Sequence, residues 1–438
     1  MRALSLRCEL VRCTLVVFLA ACAAAAPRPP TGDAPEVPRD AARDYAIWLG
    51  GAQVGTAHEV ERWSSTGVIV ERTEALRFLR GDVPVAIATA IEITADPALA
   101  PSRVTWTERA STTRRGEAVR DASGWTITAD ASAPRHLPTA AIPAELVPLV
   151  VRRDGRFAGP VFLPARGFVS GTGRIEPVAP HRFVARLVFD APSAPVRAAP
   201  TVAEATIDLG DDAMPVRVID GEGVIATRIT AAEAEVPFAP VDLIAATAIP
   251  LSGSPSALSG AARRLVLDGD LALPPLPGQS VSTAGDAIEL TLSPRLRGRL
   301  PPGPTGPDRT REIIALVARV HGRIAPDLAA SPASARAAAA ATTGDCTTFA
   351  LAYAALAAER AIPTRVVTGF RVDGDRLVRH RWAVSWTGGA WIAVDAAFGA
   401  VPAGGDLVGL AVHTADDVGL VAGEAALTHV RAAAWISP

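Results

Sequence analysis

The chain reads as an α+β protein, in which a large, mostly antiparallel β region is followed by a smaller mixed region. Three observations carry that reading. Short alternating or apolar runs separated by turn residues recur from Asp44 to Pro294, a proline- and glycine-rich stretch follows at Arg299 to Pro307, and beyond it a long helical stripe precedes two hairpin signals. With 438 residues, 49% of them hydrophobic, the chain has the length for two or three domains and a substantial core.

Taken in order, residues 1–21 hold Arg2, Arg7 and Arg12 ahead of an apolar run from Leu15 to Ala21, which fits a secretory leader and is too short to span a bilayer. Residues 22–42, with Pro27-Arg28-Pro29-Pro30, read as a flexible tether. Residues 43–298 read as the β-rich domain. Its strands are expected over Tyr45–Leu49, Val68–Leu76, Val85–Thr94, Ser102–Arg109, Trp125–Asp130, His181–Phe189, Val202–Leu209, Met214–Ile219, Gly223–Ile229, Arg264–Leu267 and Ala287–Ser293. Gly50-Gly51, Thr66-Gly67 and Gly223 punctuate hairpins, and Ala141–Val151 is a helix-like break. Gly171-Thr172-Gly173 has no helix after it and makes no nucleotide loop.

Residues 299–307 suit a linker and residues 308–438 a second domain. Asp308 caps a helix whose Ile313, Leu316, Val317, Val320 and Ile324 share one stripe, with His321 at its border. Gly344-Asp345 breaks the alanine-rich run before it, and Phe349, Ala350, Tyr353, Leu356 and Ala357 then recur at helical spacing, so Cys346 falls in the first turn of a helix. Unpaired N–H groups and the macrodipole there favour an anion, which can bring a thiol down to roughly 3.5–7.5 from about 8.5. The thiolate is the nucleophilic form.

Downstream, Thr364–Val372 and Leu377–Trp386 read as strands joined at Asp373-Gly374, and a second hairpin turns at Gly388-Gly389. That register sets Trp386 opposite Trp391, Val384 opposite Ala393 and Trp382 opposite Asp395. His380, on the face of Trp382, becomes a diagonal neighbour of Asp395. A carboxylate bonded to one ring nitrogen leaves the other to take the thiol proton. Trp382, Trp386 and Trp391 read as packing, and the runs at Val408–His413, Val418–Ala422 and Thr428–Trp435 as further strands or a closing helix.

From about Asp308 to Gly399, this Cys346…His380…Asp395 order resembles the transglutaminase-like superfamily. The resemblance implies a papain-like fold, a Cys-His-Asp triad and acyl transfer from a peptide or side-chain amide. It departs from the common pattern at Thr348 and Phe349, where an acidic residue and a histidine are usual, and at Ala396, where proline is usual. The Cys346 N–H is one expected oxyanion donor; the second is not legible.

Leu19-Ala20-Ala21-Cys22 resembles a bacterial lipobox, which implies lipidation at Cys22 and a membrane anchor. The alternative is an ordinary leader cut among Ala23 to Ala26. Ala23 resembles the outer-membrane sorting pattern, so the expected location is the envelope, facing the periplasm. With Cys8 and Cys13 in the leader and Cys22 lipidated, Cys346 is the one free thiol expected in the mature protein, where an oxidising compartment makes an odd thiol notable.

The net charge of −2 gives no basic footprint for nucleic acid. His58, His136, His181, His413 and His429 are scattered, so neither a metal nor a cofactor is expected. The chain has no lysine, so if it joined glutamine to lysine it could not be its own lysine acceptor. The expected function is an envelope cysteine hydrolase or acyltransferase, hydrolysis favoured over transamidation. The alternative is a binding or scaffolding lipoprotein that acts through its β domain.

Overall fold

The computed structural model describes residues 38–129, 134–166, 168–189, 202–221, 223–253, 263–269, 272–284, 287–330, 335–427 and 429–436. Cys22, the leader and most of the expected tether lie outside the described residues. The architecture is α+β, as its sequence pattern predicts, with the β-rich part first.

Period-two alternation builds the first sheet. In the strand Gly67–Arg80, Val68, Val70, Arg72, Leu76, Phe78 and Arg80 are buried, and the residues between them are at least partly exposed. Fifteen strands follow one another around this sheet almost in chain order, and Ala41–Leu49 pairs antiparallel with Val224–Ile229 to join its beginning to its end. The sheet curls. Trp106 meets Phe168 edge-on at 6.5 Å and Trp125 meets Phe162 at 5.1 Å, so strands early in the region share a core with Phe162 and Phe168. The Trp125 indole N–H donates to the Ala141 carbonyl at 2.8 Å. The helix-like break is real and sits just after this point, at Val147–Asp154.

The second sheet has nine strands and corrects the expected domain limits. Ile249–Ser252 pairs with Arg376–Trp386 and with Val430–Trp435, and Arg263–Gly269 lies between Val430–Trp435 and the hairpin Gln279–Ala284/Ala287–Leu292. The strands from 249 to 292, expected in the first domain, are therefore built into the second. Alternation identifies a strand but not its distant partner, so it does not reveal which sheet takes it. The Pro-Gly stretch is likewise no free boundary. Trp386 and Trp391, 5.6 Å apart, donate their indole N–H groups to the carbonyls of Pro304 and Pro301, each at 2.8 Å, and the Arg309 N–H donates to the Thr387 carbonyl. The stretch is a strap laid across the second hairpin.

Three helices position the rest. Thr310–Arg323 buries Ile313, Leu316, Val317 and Val320 against the helix Cys346–Glu359, which is apolar nearly all round and buried on nearly every face. Asp417–Leu427 covers the far side, where Leu420 meets Ala350, Leu351, Ala354 and Val366. Among the described residues no helix is long and apolar enough to cross a membrane.

Because Trp386 both fills the core beneath the strap and satisfies Pro304, Trp386→Ala is expected to cost about 3 kcal/mol. Urea unfolding checks this against Ile69→Ala, on an exposed strand face, which is expected to stay within about 0.5 kcal/mol of the parent.

Candidate active site

Cys346 is the first residue of its helix because Asp345 caps it. Asp345 is extended (φ −91°, ψ −174°), and its Oδ1 accepts the Thr348 N–H at 3.1 Å. Gly344 is required by the close approach of this cap to the first turn: a Cβ there would lie 2.2 Å from Thr348 Oγ1. The preceding Thr343–Gly344 pairs in parallel with Ala325–Pro326, and the Asp327 N–H donates to the Gly344 carbonyl. Cys346 itself has no exposed surface and packs in a cluster with Ile313, Phe349 and Tyr353.

His380 lies on Arg376–Trp386, the strand at the centre of the C-terminal hairpins. The observed register sets Trp386 opposite Trp391 and Val384 opposite Ala393, the pairing expected of the second hairpin. Asp395 follows the strand Trp391–Val394 and sits diagonally from His380, and His380 Nε2 lies 2.8 Å from Asp395 Oδ2. Oδ1 accepts the Ala397 N–H at 3.1 Å, which orients the carboxylate from its other side. With Nε2 committed, Nδ1 is the ring nitrogen left over, buried without a hydrogen-bond partner, and Cys346 is among the groups that raise the imidazole.

The ring is held on two sides. Trp382 stacks on it at 6.0 Å and 17°, and Phe398 meets it edge-on at 5.6 Å. Gly369, opposite His380, is needed because the next strand comes close: a Cβ there would lie 2.0 Å from the Val408 carbonyl oxygen. Burial works against the imidazolium, but Asp395, by charge and hydrogen bond, and then Cys346 outweigh it and push His380 up to about 10. Asp345 is raised to about 6, first by burial and then by Cys346.

Several residues that complete the site are absent from the sequence reading. Arg371 lies 3.5 Å from Asp395 Oδ2 and 2.8 Å from Asp406, with its guanidinium over the Phe398 ring at 3.4 Å. It would have been found by extending the first hairpin's register, which pairs Arg371 with Val378 and Gly369 with His380 on one face. On the opposite face, buried Arg381 reaches Thr347 Oγ1, Thr368 Oγ1 and Glu424. Thr368 in turn meets His413 Nε2 at 2.8 Å, while His413 Nδ1 donates to the Thr414 carbonyl. Burial, followed by the charge of Arg381, lowers His413 to about 4, so it is a neutral structural group. His321 Nδ1 donates to the Ala396 carbonyl at 3.2 Å and steadies the turn after Asp395. Among the described residues no three His, Cys, Asp or Glu side chains are grouped to hold a metal ion.

Residues 302–396 match the model of the transglutaminase-like superfamily, so the chain carries a transglutaminase-like domain. Two solved structures are similar in part. One is a β-barrel-like protein of a domain of unknown function from Brucella abortus, 10% identical, covering 44% of this chain and 96% of that one, with a TM-score of 0.34. The other, described as a putative cysteine protease from Cytophaga hutchinsonii, is 15% identical and covers 43% of this chain and 82% of that one, with a TM-score of 0.24. No curated protein sequence matches.

The raised His380 makes a stability prediction. An imidazole that titrates near 10 when folded, against 6.5 ordinarily, contributes stability that is complete below about 6.5 and is lost as pH rises through the folded value. Urea unfolding across that window is expected to show stability falling with pH, and Asp395→Asn to remove at least half of the fall. An equal fall in both proteins would disprove the pairing.

Proposed function

We propose that the C-terminal domain is a cysteine acyl-transfer enzyme acting on a peptide or side-chain amide, with Cys346 as nucleophile, His380 as acid and base, and Asp395 as the group that orients and charges His380. The observation that carries this reading is the buried 2.8 Å contact between His380 Nε2 and Asp395, which leaves Nδ1 for the thiol at a helix start. With His380 raised to about 10, the Cys346 proton rests on His380 Nδ1 before a substrate arrives, and in the first half-reaction the thiolate Sγ bonds to the carbonyl carbon. The C–N bond then breaks, and the leaving amine takes the proton from Nδ1. Water, favoured over an amine because it needs no second binding site, attacks the thioester. His380 takes its proton, and expulsion of the acid product restores the thiolate beside the imidazolium. The Cys346 N–H is one donor to the developing oxyanion.

The lipid anchor at Cys22, and with it a place in the envelope, belongs to this proposal on the strength of the leader sequence. A second reading, a binding or scaffolding protein with an inert thiol, draws on one observation: Cys346 is wholly buried. Under the enzymatic reading an acyl donor reaches the sulfur only when the residues packed around it shift.

The test is the pH dependence of iodoacetamide alkylation, read at the Cys346 peptide by mass spectrometry. Alkylation near pH 6 is expected to exceed that of free cysteine and to fall at least about tenfold in His380→Ala. Slow labelling indifferent to His380 would leave the inert reading standing and end the catalytic one.

A further inference from the structure

The reaction just described gives no role to Arg80, a buried cation beside the cap of the cysteine helix. Arg80 ends the strand Gly67–Arg80 of the N-terminal sheet, and alternation carries it onto the buried face with Leu76 and Phe78. Its side chain, 3% exposed, reaches out of that sheet into the other domain. Nη1 donates to the Leu328 carbonyl at 2.6 Å and lies 3.4 Å from Oδ2 of Asp345, while Nε is buried with no hydrogen-bond partner. Asp345 thus divides its oxygens between two domains, with Oδ1 on the cap of the cysteine helix and Oδ2 on Arg80.

The same hairpin is also tied to the histidine side. The Leu79 N–H donates to the Val241 carbonyl at 2.8 Å and the Gly81 N–H to Asp242 Oδ1 at 2.9 Å. Asp242 caps the short helix Leu243–Thr247, and the strand that follows, Ile249–Ser252, pairs Ile249 with Leu377 on the strand that bears His380. One hairpin tip therefore fixes both halves of the thiol-imidazole pair.

Charge gives the contact its purpose. The charged groups facing Asp345 are Arg80 from the hairpin, Cys346 on its own helix, and Arg381 from the histidine strand with Glu424 behind it. A carboxylate next to a thiolate disfavours both ionisations, and the two arginines oppose that repulsion. Arg381 is already shared with Glu424, Thr347 and Thr368.

We infer that Arg80 is a positioning residue of the thiol centre, supplied by the N-terminal sheet, which holds the Asp345 cap in place and offsets its charge beside Cys346. The inference rests on the role given above to Cys346 and His380, and it makes the β domain part of the site. The chemistry at Cys346 is complete only with that hairpin docked.

Alkylation of Cys346 by iodoacetamide in the whole protein, followed across pH, tests this with Arg80→Ala, Arg80→Lys, Asp345→Asn and the Asp345→Asn/Arg80→Ala pair. The midpoint of the profile reads charge, and its plateau reads access. Arg80→Ala is expected to raise the midpoint by about one pH unit, since the thiolate then faces an uncompensated carboxylate. Arg80→Lys, which keeps the charge, is expected to restore it. In the Asp345→Asn background the shift caused by Arg80→Ala is expected to shrink to less than about a third. An unchanged midpoint in Arg80→Ala, or the same shift in both backgrounds, overturns the inference while the dependence on His380 still stands. A thiol indifferent to His380→Ala and Arg80→Ala alike overturns the inference together with the catalytic reading.

Discussion

The contact between His380 and Asp395 is made where neither side chain is more than 2% exposed, and the architecture around it is shaped by that burial. Taking two such groups out of water costs several kcal/mol each, and a bare ion pair seldom recovers it. Here the carboxylate also accepts the Ala397 N–H and faces Arg371, while Trp382 and Phe398 hold the ring and keep water away. The rest of the C-terminal domain serves those contacts. The strap over Trp386 and Trp391 braces the hairpin, and the apolar helix Cys346–Glu359 delivers the thiol from a position fixed on nearly all its faces.

What was legible in the sequence followed from local periodicity. The diagonal relation of His380 to Asp395 needs only a tight hairpin and the two-residue period of a strand, and both are short-range properties of residues 376–395. The helix start at Cys346 is equally local, written in Gly344-Asp345 and the apolar spacing after it. Strand existence in the first region was legible for the same reason. Which sheet receives a strand was not, because Ile249–Ser252 finds its partners at 376–377 and 433–434. Arg80 is the extreme case: an arginine at a hairpin tip reads as solvated, and only a partner 265 positions away makes it a buried member of the site.

The two regions are therefore less separable than the Pro-Gly stretch implies. A linker normally divides domains where few contacts cross, yet here the stretch lies on the second hairpin, and the contacts that cross run through Arg80, Val241 and Asp242 instead. A large β domain joined in this way to the cap of the cysteine helix has a direct mechanical route to the thiol. A ligand that displaced the hairpin tip would change the charge beside Cys346 and the hold on Leu328 in a single movement.

The same physics bears on whether the site is active or merely a well-packed core. An inert core has no need of an imidazole, two carboxylates and three arginines converging on one thiol, and apolar residues of like volume would often be as stable or more so. The burial of Cys346 is thus weak support for inertness. Cys346 itself belongs to an apolar core cluster with Ile313, Phe349 and Tyr353, and polar groups bonded to one another stand beside its helix start. Under the proposed catalytic role, a closed conformation with the charges already in place is what preorganisation requires, the base and the orienting carboxylate being fixed before an acyl group arrives.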